Sequence, residues 1–294
     1  MKQLYRVLPF VLSVGLFGCS NSTTQESVNT NNAAGTENKD SFVSDLPDSA
    51  PMLKVAMTGN LPPFSFQDDY GNMQGTDVDS IRAIGEEQGF KVEFYKETWQ
   101  GLFDSVESGS RDLAISGISY KDERDVKYGL STPYFFNPAT IMYLKGDLDI
   151  KSLEDIKGMK VGTLEGSKEE DTLKEMGTSV ELFSRSTIFL AYEDLVQGKT
   201  DVLLYDLPVL QHTIKAHPEY EVVLVPYEDA DAPSAQQIIL MAKGNTKLIN
   251  TVNEGITKLK AKGVFKEIEE RWLGEKEAPP TANSTSVTTT QQVN

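Results

Sequence analysis

The sequence predicts an α/β protein with mostly parallel sheets, and two features of the chain support this. Short runs of β-branched or apolar residues alternate with amphipathic stretches of helical periodicity, which is typical of parallel strands connected by helices. Apolar material is sufficient for one large domain or two medium ones, since 39% of the 294 residues are hydrophobic and these include 13 Phe and 11 Tyr.

The charge and the scarcity of metal-binding residues exclude several classes of protein. With 28 Lys and Arg against 44 Asp and Glu, the formal net charge is -16, and such a surface repels a phosphate backbone. One Cys and two His cannot supply an internal disulfide, a Cys-rich zinc site or a three-histidine metal site. We therefore expect neither a nucleic-acid partner nor a cofactor.

Residues 1–18 form a predicted signal peptide, with a basic start and an apolar run at residues 7–18 that is too short to cross a bilayer comfortably. The run ends in LFGCS, which resembles the bacterial lipobox, where cleavage before the cysteine follows attachment of a diacylglycerol to its thiol. The only cysteine, Cys19, lies where this chemistry needs it. We therefore predict a lipid anchor on Cys19. The alternative is an ordinary signal peptide cleaved nearby, because Phe17 is bulkier than the residue usual at its position.

Two polar segments flank the predicted folded body. Residues 19–51 are mostly Asn, Ser, Thr, Ala, Gly and Asp, a composition that buries too little surface to fold, so we predict a flexible tether after the lipidated cysteine. Residues 275–294 have the same character and form a predicted disordered tail. The folded body is then expected at residues 52–274.

Five predicted strands mark the edge where a ligand is expected. They cover residues 53–57, 91–95, 112–115, 160–163 and 201–205. Thr76 or Asp77 is the predicted N-cap of the first helix, and Gly89 the residue that ends it. In open parallel sheets ligands bind outside the carboxyl ends of the strands, so the residues that follow these runs are the first candidates.

Three polar groups follow predicted strands. Arg124 comes eight residues after Ser116, and its planar guanidinium matches a carboxylate. Ser167 and Lys168 open a helix directly after a strand, where free backbone N–H groups and the helix dipole attract an anion. Asp206 ends an apolar strand and offers a carboxylate to a cation.

Each group also has a purely structural interpretation: a surface ion pair for Arg124, an ordinary N-cap for Ser167 and a turn-forming role for Asp206. Together, however, the three groups supply two sites for an anion and one for a cation. This is the set of charges that an α-amino acid zwitterion requires.

A series of short motifs runs through the predicted body. They are LPPFSF at 61–66, GTDVD at 75–79, WQGL at 99–102, ESGSRDLA at 107–114, GIS to ER at 117–124, LSTPYF at 130–135, SLEDIKG at 152–158, VG to GS at 161–167, GKTDV at 198–202 and RWLG at 271–274. In order and spacing these motifs resemble the extracellular solute-binding proteins of family 3, the polar amino-acid receptors of ABC importers. The resemblance covers nearly all of residues 52–274.

The resemblance implies a two-lobed clamp whose chain crosses the hinge twice. Lobe one would comprise residues 52–133 plus 237–274, and lobe two residues 139–230. The hinge segments would be residues 134–138 and 231–236. An α/β fold of the periplasmic-binding-protein type, with a double-crossover hinge, is therefore expected.

The resemblance also implies which residues bind the ligand carboxylate. Arg124 would bind it from lobe one, with Ser119 and the backbone of Gly117 beside it. Ser167 and the backbone N–H of Lys168 would contact the same group from lobe two. Closing the clamp would therefore bring an anion site from each lobe onto one carboxylate.

Asp206 would bind the ligand ammonium, and Trp99 would form an apolar wall, although a core aromatic is the alternative for Trp99. Two departures from the family pattern leave the identity of the amino acid open. Many relatives carry an acid and a covering aromatic where this chain has Thr58 and Leu61. Residues 236–238 also lack the glycine usual near the second crossover.

The expected function is binding of a small solute, an α-amino acid, and its delivery to an ABC permease and ATPase. The protein would be an exported, lipid-anchored monomer on the periplasmic or extracellular side of a membrane, and not an enzyme. Two alternatives stay open. One is a sensing module without transport, and the other is a dehydratase on the same fold, for which Glu165 is the carboxylate to consider and His212 and His217 are expected to be exposed.

Overall fold

The computed structural model of the chain describes residues 42–229 and 231–274. The predicted signal peptide, Cys19, most of the predicted tether and the predicted tail lie outside the described residues. Within the described ranges, none of the helices combines the length and the apolar character needed to cross a bilayer.

The strands and helices follow the alternation that the sequence predicts. The strands are β1 (Met52–Met57), β2 (Asn60–Leu61), β3 (Ser65–Gln67), β4 (Met73–Gln74), β5 (Lys91–Lys96), β6 (Leu113–Ala114), β7 (Tyr128–Leu130), β8 (Phe135–Phe136), β9 (Ala139–Leu144), β10 (Lys160–Leu164), β11 (Glu181–Arg185), β12 (Val202–Asp206), β13 (Val222–Pro226), β14 (Gln236–Gln237) and β15 (Leu240–Ala242). The helices are α1 (Thr76–Gln88), α2 (Trp99–Glu107), α3 (Asp122–Lys127), α4 (Lys168–Glu175), α5 (Ile188–Val196), α6 (Leu207–Ala216), α7 (Thr246–Lys262) and α8 (Val264–Leu273). All five predicted strands are confirmed, as β1, β5, β6, β10 and β12.

Each lobe is built on a five-stranded mixed sheet. The strand order is β5-β1-β6-β15-β7 in the first lobe and β11-β10-β12-β9-β13 in the second. In both, the first three strands are parallel and the last two are antiparallel to their neighbours. Four strands of each sheet therefore run in one direction, in agreement with the mostly parallel sheets that the sequence predicts. Only β15 and β9 are reversed, because they enter their sheets from the crossing segments, at the edge where the parallel strands end.

The two crossing segments pair with each other between the lobes. Strands β8 and β14 are antiparallel, with Phe136 opposite Gln236 and Phe135 opposite Gln237. Both strands overlap the predicted hinge segments, whereas the lobe boundaries drawn from the sequence stay a prediction. The fold is thus a two-lobed clamp with two adjacent crossovers.

The start of α1 differs from the predicted cap. Gly75, not Thr76 or Asp77, is the N-cap, with φ 125° and no side-chain cap bond. A Cβ atom there would lie 2.2 Å from the Phe64 carbonyl oxygen, so only glycine fits. The other end agrees with the prediction, because Gly89 ends the helix in the left-handed conformation at φ 80°.

Residues 42–51 belong to the folded body, although the sequence assigned them to the tether. The Asp45 N–H donates to the Glu86 carboxylate on α1 at 3.2 Å, and the Ser44 hydroxyl donates to the same carboxylate. The Lys91 N–H donates to the Pro51 carbonyl at 2.8 Å. Composition alone missed this packing, because these contacts are polar bonds to groups far along the chain.

A buried carboxylate connects α1 to the crossing region. Asp77 is fully buried and accepts hydrogen bonds from the Gly117 N–H at 2.6 Å and from the Tyr134 hydroxyl at 2.7 Å. Burial raises the pKa of Asp77 to about 6, against the lowering effect of these two hydrogen bonds. The fold therefore favours the neutral carboxyl group.

The raised pKa of Asp77 predicts a specific pH dependence of stability. Its stabilising neutral form is complete below about pH 4 and is lost as the pH rises through 6. Asp77→Asn mimics the neutral form, so between pH 4 and 7 the free energy of unfolding of the wild type should fall by about 2.4 kcal/mol relative to that of this variant. Urea unfolding at each pH measures the difference.

Asp69→Asn provides the control, because Asp69 is exposed on a loop of the same lobe. The difference in free energy of unfolding between Asp69→Asn and the wild type should stay nearly constant between pH 4 and 7. A constant difference for Asp77→Asn as well would contradict the raised pKa.

Candidate functional site

The loops that follow the parallel strands of the two lobes touch around one carbonyl group. The Gly166 carbonyl, after β10, accepts from the Trp99 indole N–H at 3.2 Å and from the Arg124 guanidinium at 3.4 Å. Beside it, Lys121 Nζ donates to the Ser167 carbonyl at 3.1 Å and pairs with Asp171. The cleft between the lobes is therefore closed.

Gly166 permits this approach for two reasons. Its φ is 75°, and a Cβ atom would lie 3.0 Å from the Trp99 ring. Any side chain at this position would strain the backbone and push the lobes apart.

Arg124 is a buried cation without an anionic partner. It is 7% exposed, and it donates to the Ser119 carbonyl at 2.5 Å while its guanidinium lies 5.1 Å from the centre of the Phe103 ring. Among the described residues, no carboxylate oxygen lies within 4.0 Å of its nitrogens, so the surface ion pair considered from the sequence is absent there. Burial lowers the pKa of Arg124 to about 10, which leaves it charged at neutral pH.

Ser167 performs the structural role that the sequence left as an alternative. Its hydroxyl accepts from the Glu170 N–H at 3.1 Å and caps α4, and its own N–H donates to the Leu164 carbonyl at 3.2 Å. The N–H groups of Lys168 and Glu169 have no acceptor in the described part of the chain. The amides free to bind an anion are therefore those of Lys168 and Glu169.

The Lys168 side chain has a role that sequence reasoning missed. It is 8% exposed, and Nζ donates to the Asn137 carbonyl at 3.0 Å, the Ser234 carbonyl at 3.0 Å and the Glu228 carboxylate at 2.7 Å. Asn137 and Ser234 lie on the two different crossing segments. This lysine therefore connects α4 to both crossovers.

Asp206 ends β12 opposite Ala139 and is 2% exposed. Although it precedes α6, its side chain makes no capping bond, and its Oδ1 atom has no hydrogen-bond partner among the described residues. The nearest cation, Lys168 Nζ, is 3.5 Å away. The pKa of Asp206 is raised well above its ordinary value, mainly by burial and to a smaller extent by the nearby Glu169 carboxylate. A turn-forming role does not account for this side chain.

Unpartnered polar atoms concentrate beside the crossing segments. Of eleven buried side-chain nitrogen and oxygen atoms without a partner in the described ranges, six belong to Asn137, Glu169, Asp206 and Gln237. Buried polar atoms in native proteins are almost always bonded, so this concentration indicates room for a polar ligand. Of these four residues, the sequence predicted only Asp206 as a ligand contact. The missing glycine at residues 236–238 indicated an altered pocket near Gln237, but Gln237 itself was not predicted.

Ser119 lies beside Arg124, because its carbonyl accepts from the guanidinium. The contacts of Gly117 and Ser119 with a ligand stay a prediction. Gly117 has φ 63°, its N–H is used by Asp77, and a Cβ atom there would lie 2.9 Å from the Phe64 ring. Ser119 is 3% exposed and pairs with Gln237 across the crossing region. Through its carbonyl, Ser119 orients the guanidinium of Arg124.

An inter-lobe cavity of about 400 Å³ lies beside Trp99, and its lining includes the charged residues Lys96 and Glu97. Gly117, Ser119, Arg124 and Asp206 are not among its lining residues. Leu61, Trp99, Leu164 and Ile188 form its apolar lining. The Trp99 ring also packs edge-to-face on Phe103 at 5.7 Å, so it serves both the core and the cavity.

Thr58 also lines the cavity, and its hydroxyl is bonded to the Ser116 hydroxyl at 2.9 Å. Glu165 is exposed, and both histidines are partly exposed and lie away from this cavity. Within the described ranges, no group of three His, Cys, Asp or Glu residues is placed to hold a metal ion.

Comparisons with known proteins agree with this architecture. The model of the family "Bacterial extracellular solute-binding proteins, family 3" matches residues 53–275. The L-cystine-binding protein TcyJ of Escherichia coli (strain K12) is 30% identical over 225 residues, which cover 76% of this chain and 82% of that protein.

Two solved structures extend the comparison. An ancestral arginine-binding protein bound to glutamine is 32% identical with a TM-score of 0.70, and the match covers 76% of this chain and 98% of that one. The ancestral amino acid-binding protein AncCDT-1, a precursor of cyclohexadienyl dehydratase, is 31% identical with a TM-score of 0.68, and the match covers 76% and 95%.

The environment of Asp206 predicts that its charge does not stabilise the unliganded fold. Because its pKa is raised, the neutral form is preferred, and ionisation costs stability as the pH rises above the ordinary carboxyl range. Asp206→Asn should therefore unfold at the same temperature as the wild type or higher at pH 7, measured by calorimetry without ligand.

Asp194→Asn is the matched control. Asp194 is 5% exposed, but it forms salt bridges with Arg185 at 2.5 Å and Lys199 at 3.0 Å. The free energy of unfolding of Asp194→Asn should therefore be about 1–2 kcal/mol lower than that of the wild type. A comparable loss in Asp206→Asn would return Asp206 to a structural role.

Proposed function

The chain belongs to the bacterial extracellular solute-binding proteins, family 3, and from that premise we propose that it binds an α-amino acid between its lobes and delivers it to an ABC importer. One observation carries the proposal. Among the described residues, the closed cleft buries a guanidinium without a carboxylate within 4.0 Å, that of Arg124, and a carboxylate whose Oδ1 atom has no hydrogen-bond partner, that of Asp206. An α-amino acid supplies both missing charges in one small molecule.

The geometry supports a division of the ligand between the lobes. Arg124, from lobe one, and the free N–H groups of Lys168 and Glu169, from lobe two, would bind the carboxylate. Asp206 would bind the ammonium from lobe two. A solute that contacts both lobes stabilises the closed form over the open one, which is how binding would be signalled to a transporter.

The side chain of the solute would enter the cavity of about 400 Å³. Leu61 and Trp99 in its lining support an apolar or long side chain, and Lys96 and Glu97, which also line the cavity, would bring both charges near the end of that side chain. The relatives named above bind L-cystine or arginine, and one structure holds glutamine. We propose these three amino acids as the first ligands to test.

Proteins of this family are exported. We further propose that this chain is held on the periplasmic or extracellular side of a membrane by lipid on Cys19, and that it acts as a monomer. Binding without catalysis is proposed because Glu165 is exposed and the histidines lie away from the cavity. Catalysis or sensing without transport would be revealed by turnover of a bound acid, or by binding without uptake in cells that carry the matching permease.

Binding is tested first with L-cystine, L-arginine and L-glutamine in a thermal-shift screen, followed by calorimetric titration. Arg124→Ala should weaken the best of these ligands by roughly thirtyfold or more, because truncating one partner of a buried charge pair costs about 2–5 kcal/mol. Arg271→Ala is the control, since Arg271 is exposed and pairs with Asp79 at 2.9 Å on the surface. Near-wild-type affinity for Arg124→Ala would remove Arg124 from the site.

The anchor on Cys19 is tested in cell fractions. The wild type should sediment with membranes and carry an N-terminal acyl mass, whereas Cys19→Ser should be recovered in the soluble fraction. A Cys19→Ser protein that stays on membranes after a salt wash would contradict lipid anchoring.

A further inference from the structure

Glu169 is a buried acid with one carboxylate oxygen that receives no hydrogen bond from the described residues. It lies in the first turn of α4, is 1% exposed, and its Oε1 atom has no partner in the described part of the chain. Its neighbour Glu170, by contrast, accepts from the Gly166 N–H, Lys174 and Ser184. Burying a carboxylate without donors is costly, so a structural role does not account for Glu169.

The nearest cation cannot satisfy Glu169. Lys168 Nζ lies 3.8 Å from Glu169 Oε1 and 3.5 Å from Asp206 Oδ1. An ammonium group has three hydrogens, and those of Lys168 go to Asn137, Ser234 and Glu228. Lys168 and Glu228 thus form one neutral pair. The carboxylates of Asp206 and Glu169 lie within 4.0 Å of the same Nζ atom, but neither accepts a hydrogen bond from it.

Lys168 thus lies within ion-pair distance of three carboxylates, those of Asp206, Glu169 and Glu228. One ammonium cannot neutralise three carboxylates, so their repulsion is relieved by protonation or by a further cation. The charged neighbour that most raises the pKa of Asp206 is Glu169, which indicates that the two groups are close. The Asn137 amide oxygen, also buried and unpartnered, adds a third acceptor in the same region. Three acceptors match the three hydrogens of a primary ammonium group.

We propose that Glu169 binds the amino group of the solute together with Asp206, so that two carboxylates hold one ammonium. This inference rests on the proposed function, since it requires a solute that carries an amino group. Glu169 then determines specificity: a solute without a cationic amino group leaves two buried carboxylates unpaired and is rejected. The backbone N–H of the same residue is free, so Glu169 would contact both ends of the zwitterion.

The test compares Glu169→Gln with Glu165→Gln, a matched change of an exposed acid on the loop before α4. The probe is whichever of L-cystine, L-arginine and L-glutamine binds the wild type best in calorimetric titration. Glu169→Gln should bind it at least about tenfold more weakly, because the amide oxygen can still accept a hydrogen bond from the ammonium but no longer carries a negative charge. Glu165→Gln should keep the wild-type affinity.

Two further measurements separate ligand recognition from a structural effect. The unfolding temperature of unliganded Glu169→Gln should equal or exceed that of the wild type, because a buried unpaired charge has been removed. The second measurement uses the deaminated counterpart of the probe (3,3′-dithiodipropionate, 5-guanidinopentanoate or 4-carbamoylbutanoate) in displacement titrations at millimolar concentration. Glu169→Gln should weaken the affinity for this compound by less than about threefold.

The outcomes distinguish this inference from the proposed function. If Arg124→Ala loses affinity while Glu169→Gln binds like the wild type, the role of Glu169 is wrong and amino-acid binding stands. A lower unfolding temperature of Glu169→Gln together with equal losses for the probe and its deaminated counterpart would also overturn the role of Glu169. If the wild type binds none of the three amino acids, the proposed function fails for these ligands and the inference drawn from it fails as well.

Discussion

The closed arrangement of this protein depends on the Gly166 carbonyl, which accepts hydrogen bonds from Trp99 and Arg124 of the opposite lobe. The contact exists because Gly166 adopts φ 75° and has no Cβ atom to meet the Trp99 ring. It brings the start of α4 next to the guanidinium, so that the free N–H groups of the helix and the cation of the other lobe can address one anion. The remaining features of the site are built around this meeting point.

Charge balance explains why a closed cleft of this composition suits a zwitterion. Among the described residues, buried Arg124 has no carboxylate within 4.0 Å, and one carboxylate oxygen each of buried Asp206 and Glu169 has no hydrogen-bond partner. Each group alone is costly in a low-dielectric interior, and a solute that carries both charges offsets all three costs at once. A solute with both charges would therefore favour closure, because without it the closed form buries Arg124 as a cation and favours the neutral form of Asp206.

The crossing region does more than connect the lobes. Strands β9 and β15 enter their sheets at the cleft edge, which makes each sheet mixed and brings Ala139 opposite Asp206. Lys168 bonds carbonyl groups of both crossing segments, and Asn137 presents its amide beside it. The crossing segments and the proposed ligand site thus share contacts through Lys168 and Asn137.

The sequence by itself determined the local features: the positions of five strands, the glycine that ends α1, and Arg124 and Asp206 as candidates at strand ends. These depend on periodicity and residue type over a few positions. Tertiary structure alone decided the mixed sheets, the packing of residues 42–51 and the partners of Lys168 and Glu169. Lys168 bonds a carbonyl 66 residues away, and whether Glu169 has a donor depends on segments equally distant along the chain. No local pattern encodes such pairings, because they arise only when the two lobes and both crossovers meet.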